Sequence, residues 1–210
     1  MTYTTIYNDP FSRAKAIEPW VFWDNAFTDD ELKKVEEYCD EQGTQRGSIF
    51  GFGPEKTAEE VEKFRTSDIG FHSRNADTSW IFDRLNFVIQ SANEMFFNYH
   101  LNGYSFFQYT TYKAEEKGRY DWHMDMAVGQ SSRENTEPHP RKLSVTLLLN
   151  DDFEGGEFQI NLSKEDQPET IKIPKGRAVL FPSYVLHRVT PVTKGIRKSL
   201  VVWTLGPKFV

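Results

Sequence analysis

Residues 175–206 read KGRAVLFPSYVLHRVTPVTKGIRKSLVVWTLG. Three apolar runs lie in this stretch, at 177–181, 186–190 and 197–205, with Pro174-Lys175-Gly176, a proline-containing turn after Phe181 and Lys194-Gly195 between or before them. Each run is short, rich in Val, Leu and Phe, and bounded by turn residues, which is the pattern of strands rather than helices. The same texture extends backwards. Runs at 104–112, 119–126, 143–149, 157–162 and 169–173 are punctuated by Lys117-Gly118, Asn150-Asp151-Asp152 and Gly155-Gly156. About eight short strands at this spacing predict a β-sandwich or jelly roll.

Before Gly103 the pattern is helical. In TDDELKKVEEYCDEQG, Thr28 and Glu31 have the spacing of a capping box, and Asp29 and Asp30 suit the positive end of the helix dipole. Leu32, Val35 and Cys39 form its apolar stripe, and Gly43 can stop it. A short helix is expected at TAEEVEKF and a longer one over 79–99, where Ile81, Leu85, Val88, Ile89, Ala92, Met95 and Phe96 recur at helical spacing. These helices are expected to brace one face of a sheet. The organisation expected is an arm over 1–18, a helical support region over 19–103 and a β core over 104–210, forming one compact domain. Residues 44–58 and 129–142 read as loops that could shape a groove or lid.

The bulk composition narrows the function classes. The chain has 210 residues, 38% hydrophobic and 15% aromatic, enough for a substantial core. Its one cysteine, Cys39, fits a reducing compartment, and the N-terminus MTYTTIYNDPF lacks the pattern of a secretory signal. No apolar run has the length of a membrane span. A cytoplasmic location is therefore expected. The formal net charge of −6 argues against a general nucleic-acid binder.

The chemistry centres on RYDWHMDMAVG, 119–129. On a strand His123 and Asp125 point to one face and Met124 to the other. His187 lies 64 positions beyond His123, so only a folded sandwich can bring it to them. Two histidines and one carboxylate on one face of an iron leave three positions free, for a bidentate oxo-acid and O2. Such a pair and a distant histidine are common without any metal. Their force comes from Arg197, ten residues after His187. In strand phase Arg197, Ser199, Val201 and Trp203 share one face, and Lys198, Leu200 and Val202 the other. A guanidinium inside a barrel is costly without an anion, and a dicarboxylate cosubstrate would supply one. The alternative for Arg197 is a surface cation on an edge strand.

The ordered set His123-x-Asp125, Leu143-Ser144, Leu149-Asn150, Gly155-Gly156-Glu157, Phe181-Pro182-Ser183, His187-x-Val189-x-Pro191-Val192 and Gly195-x-Arg197-x-Ser199 with Trp203 resembles the 2-oxoglutarate- and Fe(II)-dependent dioxygenases. More narrowly, it is similar to the prolyl 4-hydroxylase branch and the PKHD-type hydroxylases, over roughly residues 104–206. The resemblance implies a mainly β protein with supporting α: a double-stranded β-helix, or jelly roll, with N-terminal helices packed on the major sheet. It implies His123, Asp125 and His187 as iron ligands and Arg197 as the residue holding the distal carboxylate of 2-oxoglutarate. Ser199 is a helper at that carboxylate or a small inward residue. Tyr112 is the candidate tyrosine beside the cosubstrate, with Tyr109 its competitor. Tyr120 would line the mouth, and Trp203 the pocket wall or the core. One departure is Leu148, which stands where prolyl hydroxylases often carry a cosubstrate-binding tyrosine.

The implied reaction couples decarboxylation of 2-oxoglutarate to succinate and CO2 with hydroxylation of a C–H bond. It uses Fe(II) and O2, with ascorbate as a candidate reductant. A proline-containing peptide or protein is the first expectation for substrate, and a free amino acid or other small molecule the alternative. A non-catalytic or cupin-like metal-binding jelly roll is the competing class. Arg46, Arg65 and Arg74 are candidate substrate contacts, against the commoner reading as solvated surface cations.

Overall fold

A computed structural model describes residues 18–48, 57–126, 139–162 and 167–208. Residues 1–17 of the expected arm, the centre of the 44–58 loop and most of the 129–142 loop lie outside the described residues. The chain begins with β1 (Val21–Trp23), α1 (Asp29–Gln42) and β2 (Gln45–Arg46). Next come α2 (Ala58–Phe64), β3 (Arg65–Thr66), β4 (Asp68–Ser73) and α3 (Ser79–Ala92). After α3 the chain is built from strands: β5 (Phe106–Lys113), β6 (Arg119–His123), β7 (Arg141–Leu148), β8 (Glu154–Gly155) and β9 (Phe158–Asn161). It ends with β10 (Glu169–Ile171), β11 (Ala178–Pro182), β12 (Leu186–Val189), β13 (Val192–Lys194) and β14 (Ile196–Leu205).

Among the described residues the strands form a major sheet, β1-β11-β7-β14-β5-β4-β2, and a minor sheet, β10-β9-β12-β6-β3. A short pair, β13-β8, stands apart. The chain switches sheets from β5 to β6, from β6 to β7 and again from β11 to β12, as a jelly roll requires. Each face of the major sheet is buried against something different. Phe107, Tyr109, Leu143, Val145, Leu147, Leu200 and Val202 pack with Leu32, Val35 and Cys39 of α1 and with Ile81, Phe82, Leu85 and Val88 of α3. On the opposite face Tyr112, Val179 and Phe181 meet Phe158, Ile160, Ile171 and Val189 of the minor sheet. The period-two alternation thus sorts side chains into a helix-backed core and an inter-sheet core.

Both N-terminal caps have the expected chemistry. The Thr28 N–H donates to Glu31 and the Glu31 N–H to the Thr28 hydroxyl, at 2.8 and 3.2 Å. Thr57 and Glu60 repeat the device at α2. Tethers from the sheet hold α1: the Tyr109 hydroxyl donates to Asp40 at 2.6 Å, and Lys198 pairs with Asp40 and Glu36 at 2.8 and 3.2 Å.

Two expectations are corrected. The helix over 79–99 does not run through: α3 ends at Ala92 and a π-helical turn covers Asn93–Phe97. That wider closure inserts a residue and rotates the subsequent side chains by about 100°. Phe97 becomes buried, while Met95 and Phe96, expected inside, stand 61% and 42% exposed. The strand expected over 119–126 stops at His123, and Asp125 lies just beyond it.

Candidate metal centre and oxo-acid pocket

β6 and β12 are neighbours in the minor sheet, and their antiparallel register sets His123 opposite His187. The next registered pair is Tyr120 with Val189, so three steps along β6 match two along β12. This is a bulge in β6, which bends a strand and re-aims a side chain. It brings Tyr120 onto the His123 side, with ring centroids 3.5 Å apart and planes 15° from parallel.

Asp125 completes the cluster from beyond the strand end. Its N–H and that of Met126 donate to the Ser183 carbonyl, at 2.9 and 3.0 Å. The Ser144 hydroxyl reaches both Asp125 and the Ser183 hydroxyl, the latter at 2.9 Å. Asp125 Oδ1 lies 3.8 Å from His123 Nε2, and Oδ2 lies 3.6 Å from His187 Nε2. One ligand atom from each residue falls within 4.8 Å of the others. Met124 points away and is 46% exposed, as strand parity anticipates.

The ring orientations are fixed from behind. His123 Nδ1 lies 2.7 Å from the Asp121 carbonyl, and His187 Nδ1 lies 2.9 Å from the Val185 carbonyl. A carbonyl only accepts, so each Nδ1 carries a proton and each Nε2 is the ring nitrogen turned toward Asp125. Burial, and then the neighbouring His187, hold the His123 pKa down to about 3. Burial pushes Asp125 upward, but His187, His123 and the Ser144 hydrogen bond outweigh it and keep the carboxylate ionised. Three ligand atoms therefore face one another across gaps too long for hydrogen bonds. The donor set of two imidazoles and a carboxylate fits a divalent transition metal such as Fe(II).

Arg197 sits on β14 opposite Tyr112 of β5. It is 2% exposed. Its Nη1 donates to the Ser199 hydroxyl at 3.1 Å, and its guanidinium lies 5.6 Å from the Tyr112 ring centroid. Among the described residues no carboxylate pairs with it. Burial lowers its pKa, but a guanidinium remains charged. Tyr112 lies within the fields of Arg65, Arg197 and Asp125, so it joins the arginine to the histidine cluster. Tyr109 faces the other way, its hydroxyl donating to Asp40. Trp203 carries the Arg141 guanidinium 4.1 Å above its ring, and its buried indole N–H has no partner among the described residues.

The three arginines in the first half divide. Arg46 is paired with Glu62, Asp68 and Glu116, and Arg74 with Asp83, as exposed surface cations. Arg65 departs from the surface reading. It is 6% exposed, donates to the Ser67 hydroxyl and the Ser48 carbonyl, and stacks 4.5 Å over Tyr120. Pairing of β3 with β6 at Arg65↔Tyr120 draws it in, a long-range contact with no local signature. Ser144 and Ser183 lie in the Leu-Ser and Phe-Pro-Ser motifs, yet their grip on Asp125 emerges only in three dimensions.

The family match falls on the part of the chain that carries the site. The sequence model of the 2OG-Fe(II) oxygenase superfamily matches residues 107–205. This segment, a little under half of the chain, is similar to that superfamily. A PKHD-type hydroxylase of Synechococcus sp. (strain CC9311) is 42% identical over 93 residues, 43% of this chain and 38% of that protein. One from Pseudomonas fluorescens is 40% identical over 89 residues, 41% of this chain and 38% of that protein. The chain thus spans about two-fifths of the length of these curated relatives. A Pseudomonas putida prolyl-4-hydroxylase superposes with a TM-score of 0.65 at 18% identity, covering 89% of this chain and 92% of that one. A Trichoplax adhaerens prolyl hydroxylase, solved with a hypoxia inducible factor peptide fragment, gives 0.67 at 18% identity, covering 90% and 84%. At these identities the structural likeness shows the fold, a jelly roll with helices on its major sheet.

Proposed function

We propose that the chain is an Fe(II)- and 2-oxoglutarate-dependent dioxygenase that hydroxylates a C–H bond, with a peptidyl proline as the favoured target. One observation carries this reading: a convergent His-Asp-His set and a buried arginine that no described carboxylate neutralises both act on the buried Tyr112, through Asp125 and Arg197. A non-catalytic jelly roll has no use for that charge, which would only destabilise it.

In this reading His123, Asp125 and His187 hold iron, with the Asp121 and Val185 carbonyls fixing the imidazoles and Ser144 orienting the carboxylate. Arg197, with Ser199 beside it, takes the distal carboxylate of 2-oxoglutarate as a charge-assisted pair. Tyr112 supplies a hydroxyl between the two ends, in place of the tyrosine that Leu148 lacks. The bound metal supplies the chemistry by which O2 decarboxylates 2-oxoglutarate to succinate and CO2 and hydroxylates the substrate. Tyr120, Arg65 and Trp203 wall the substrate side and keep water out. Arg65 offers donors to a peptide carbonyl. The PKHD-type and prolyl hydroxylase likenesses support a peptide or protein substrate over a free small molecule. Ascorbate as reductant and a cytoplasmic location, the latter from the lone Cys39, belong to the same proposal; no helix among the described residues is long and apolar enough to cross a membrane. Residues 19–103 serve as the support and 104–210 as the catalytic core of one unit.

The test is anaerobic titration with Fe(II) and then 2-oxoglutarate, watching for the weak visible charge-transfer band of a chelated oxo-acid. Its appearance, and its loss in His187→Ala, is the expected result. Metal binding without the band would favour the cupin-like alternative. Proline-containing peptides would then be screened by mass spectrometry for a gain of one oxygen.

A further inference from the structure

We propose that Asn150 is the positioning residue of Arg197 and thereby sets which oxo-acid the pocket accepts. The proposal rests on Arg197 being the anchor for a distal carboxylate.

β7 leaves the major sheet just before Asn150. Its last registered pair with β14 is Leu148↔Ser199, followed by one bond from the Leu149 N–H to the Lys198 carbonyl at 3.0 Å. Beyond that point β14 has no registered strand partner on this side among the described residues. Two of its groups that would continue the ladder, the Ile196 carbonyl and the Lys198 N–H, flank Arg197. The Asn150 side chain takes both. Its Nδ2 donates to the Ile196 carbonyl at 2.7 Å, and its Oδ1 accepts from the Lys198 N–H at 2.8 Å. A side-chain amide offers a donor and an acceptor in one plane, so it replaces the missing peptide unit. Asp152 accepts from the same Nδ2 at 2.6 Å, which fixes the way the amide faces. Asn150 is 8% exposed, so water is a poor substitute for it.

The other edge of β14 at this point is paired to Tyr112. Arg197 is therefore clamped from both sides, by a strand and by one side chain. The same segment makes room for the arginine stem. Gly156 has φ +61°, and a Cβ there would lie 2.9 Å from Arg197 Cδ and 2.9 Å from Val192 Cγ2. Asn150 grips the backbone and Gly156 admits the side chain. Together they fix the distance from the guanidinium to the histidine cluster, and a binding constellation tolerates displacement of only about 0.5 Å. Without Asn150 the charge persists but its reach is no longer set.

The experiment is anaerobic titration of the Fe(II)-loaded protein with 2-oxoglutarate and with 2-oxobutyrate, which lacks the distal carboxylate. The variants are Asn150→Ala, Asp152→Ala, Arg197→Ala and, as a control, Asp151→Ala. Asn150→Ala should weaken 2-oxoglutarate at least tenfold and leave 2-oxobutyrate within twofold. Asp152→Ala should move the ratio the same way by less, and Asp151→Ala should not move it. Equal weakening of both ligands by Asn150→Ala would mean a merely structural role and would overturn the proposal. Should that variant fail to fold, Asp152→Ala decides, and an unchanged ratio there overturns it. Arg197→Ala separates the two readings. If it abolishes the preference while Asn150→Ala preserves it, the mount alone is wrong; if it leaves the preference intact, the oxo-acid reading itself fails.

Discussion

Replacing Arg197 by methionine should have opposite effects on the free protein and on its complex. In the free protein the guanidinium is 2% exposed and has one hydrogen bond, to Ser199 at 3.1 Å, with no carboxylate partner among the described residues. Substituting an apolar side chain of similar length for such a charge is neutral or stabilising, by up to about 4 kcal/mol. For a chain of this size the thermal midpoint should stay put or rise by several degrees. The complex should lose two charge-assisted hydrogen bonds in a dry site, each contributing about 1.5–3 kcal/mol. A total of about 3–6 kcal/mol corresponds to roughly 150- to 20,000-fold weaker 2-oxoglutarate binding. Differential scanning calorimetry of the free protein and anaerobic ligand titration measure the two effects separately. A variant that unfolds readily yet binds 2-oxoglutarate normally would refute the reasoning, because the charge would then be neutralised from within the fold.

Three other outcomes are expected from the geometry. Ser144→Ala should fold and lose about 10- to 100-fold in Fe(II) affinity, as removal of a group that orients a metal ligand does; unchanged affinity in a metal titration would show that Ser183 suffices. Tyr109→Phe should reduce stability by about 1 kcal/mol through the lost bond to Asp40 without touching oxo-acid binding, and Tyr112→Phe should do the reverse; urea melts and ligand titrations of both variants check this. Acid should destabilise the metal-free protein early. His123 is held near pKa 3 in the fold against an ordinary 6.5, so the unfolded chain takes up the proton first. Stability is full above about pH 6.5 and falls as pH drops through that window, by up to about 1.4 kcal/mol per unit. Thermal midpoints between pH 7 and 5, above the carboxylate range, should decline in the wild type and decline less steeply in His123→Gln, where the buried His72 still has a lowered pKa.

Strand alternation carried most of what could be read in advance. The parity of β14 placed Arg197 and Ser199 inward and Lys198 outward, and Lys198 indeed tethers α1 through Asp40. Turn residues marked the strand ends within a few positions, because Gly and Pro act locally. What could not be read was carried by backbone or by distance. The Asp121 and Val185 carbonyls orient the histidines, and every residue has a carbonyl. The bulge that lays Tyr120 on His123 is a mismatch between two strands and belongs to neither sequence alone. Arg65 resembles any other surface cation until β3 pairs with β6. The π-helical turn escaped because Met95 and Phe96 continue the helical period in sequence while the backbone departs from it.

His123 and His187 face each other across neighbouring strands yet stand 64 positions apart in the chain. An ion shared between them closes a loop of that length, as a cross-link would. By the chain-entropy relation used for disulfides, such a closure is worth about 4 kcal/mol against the unfolded ensemble. Unlike a disulfide it is removed whenever the metal is scarce. A change of about 1–2 kcal/mol can alter the standing level of a protein severalfold in a cell, so under the proposed iron binding the chain's turnover should quicken when iron is withheld.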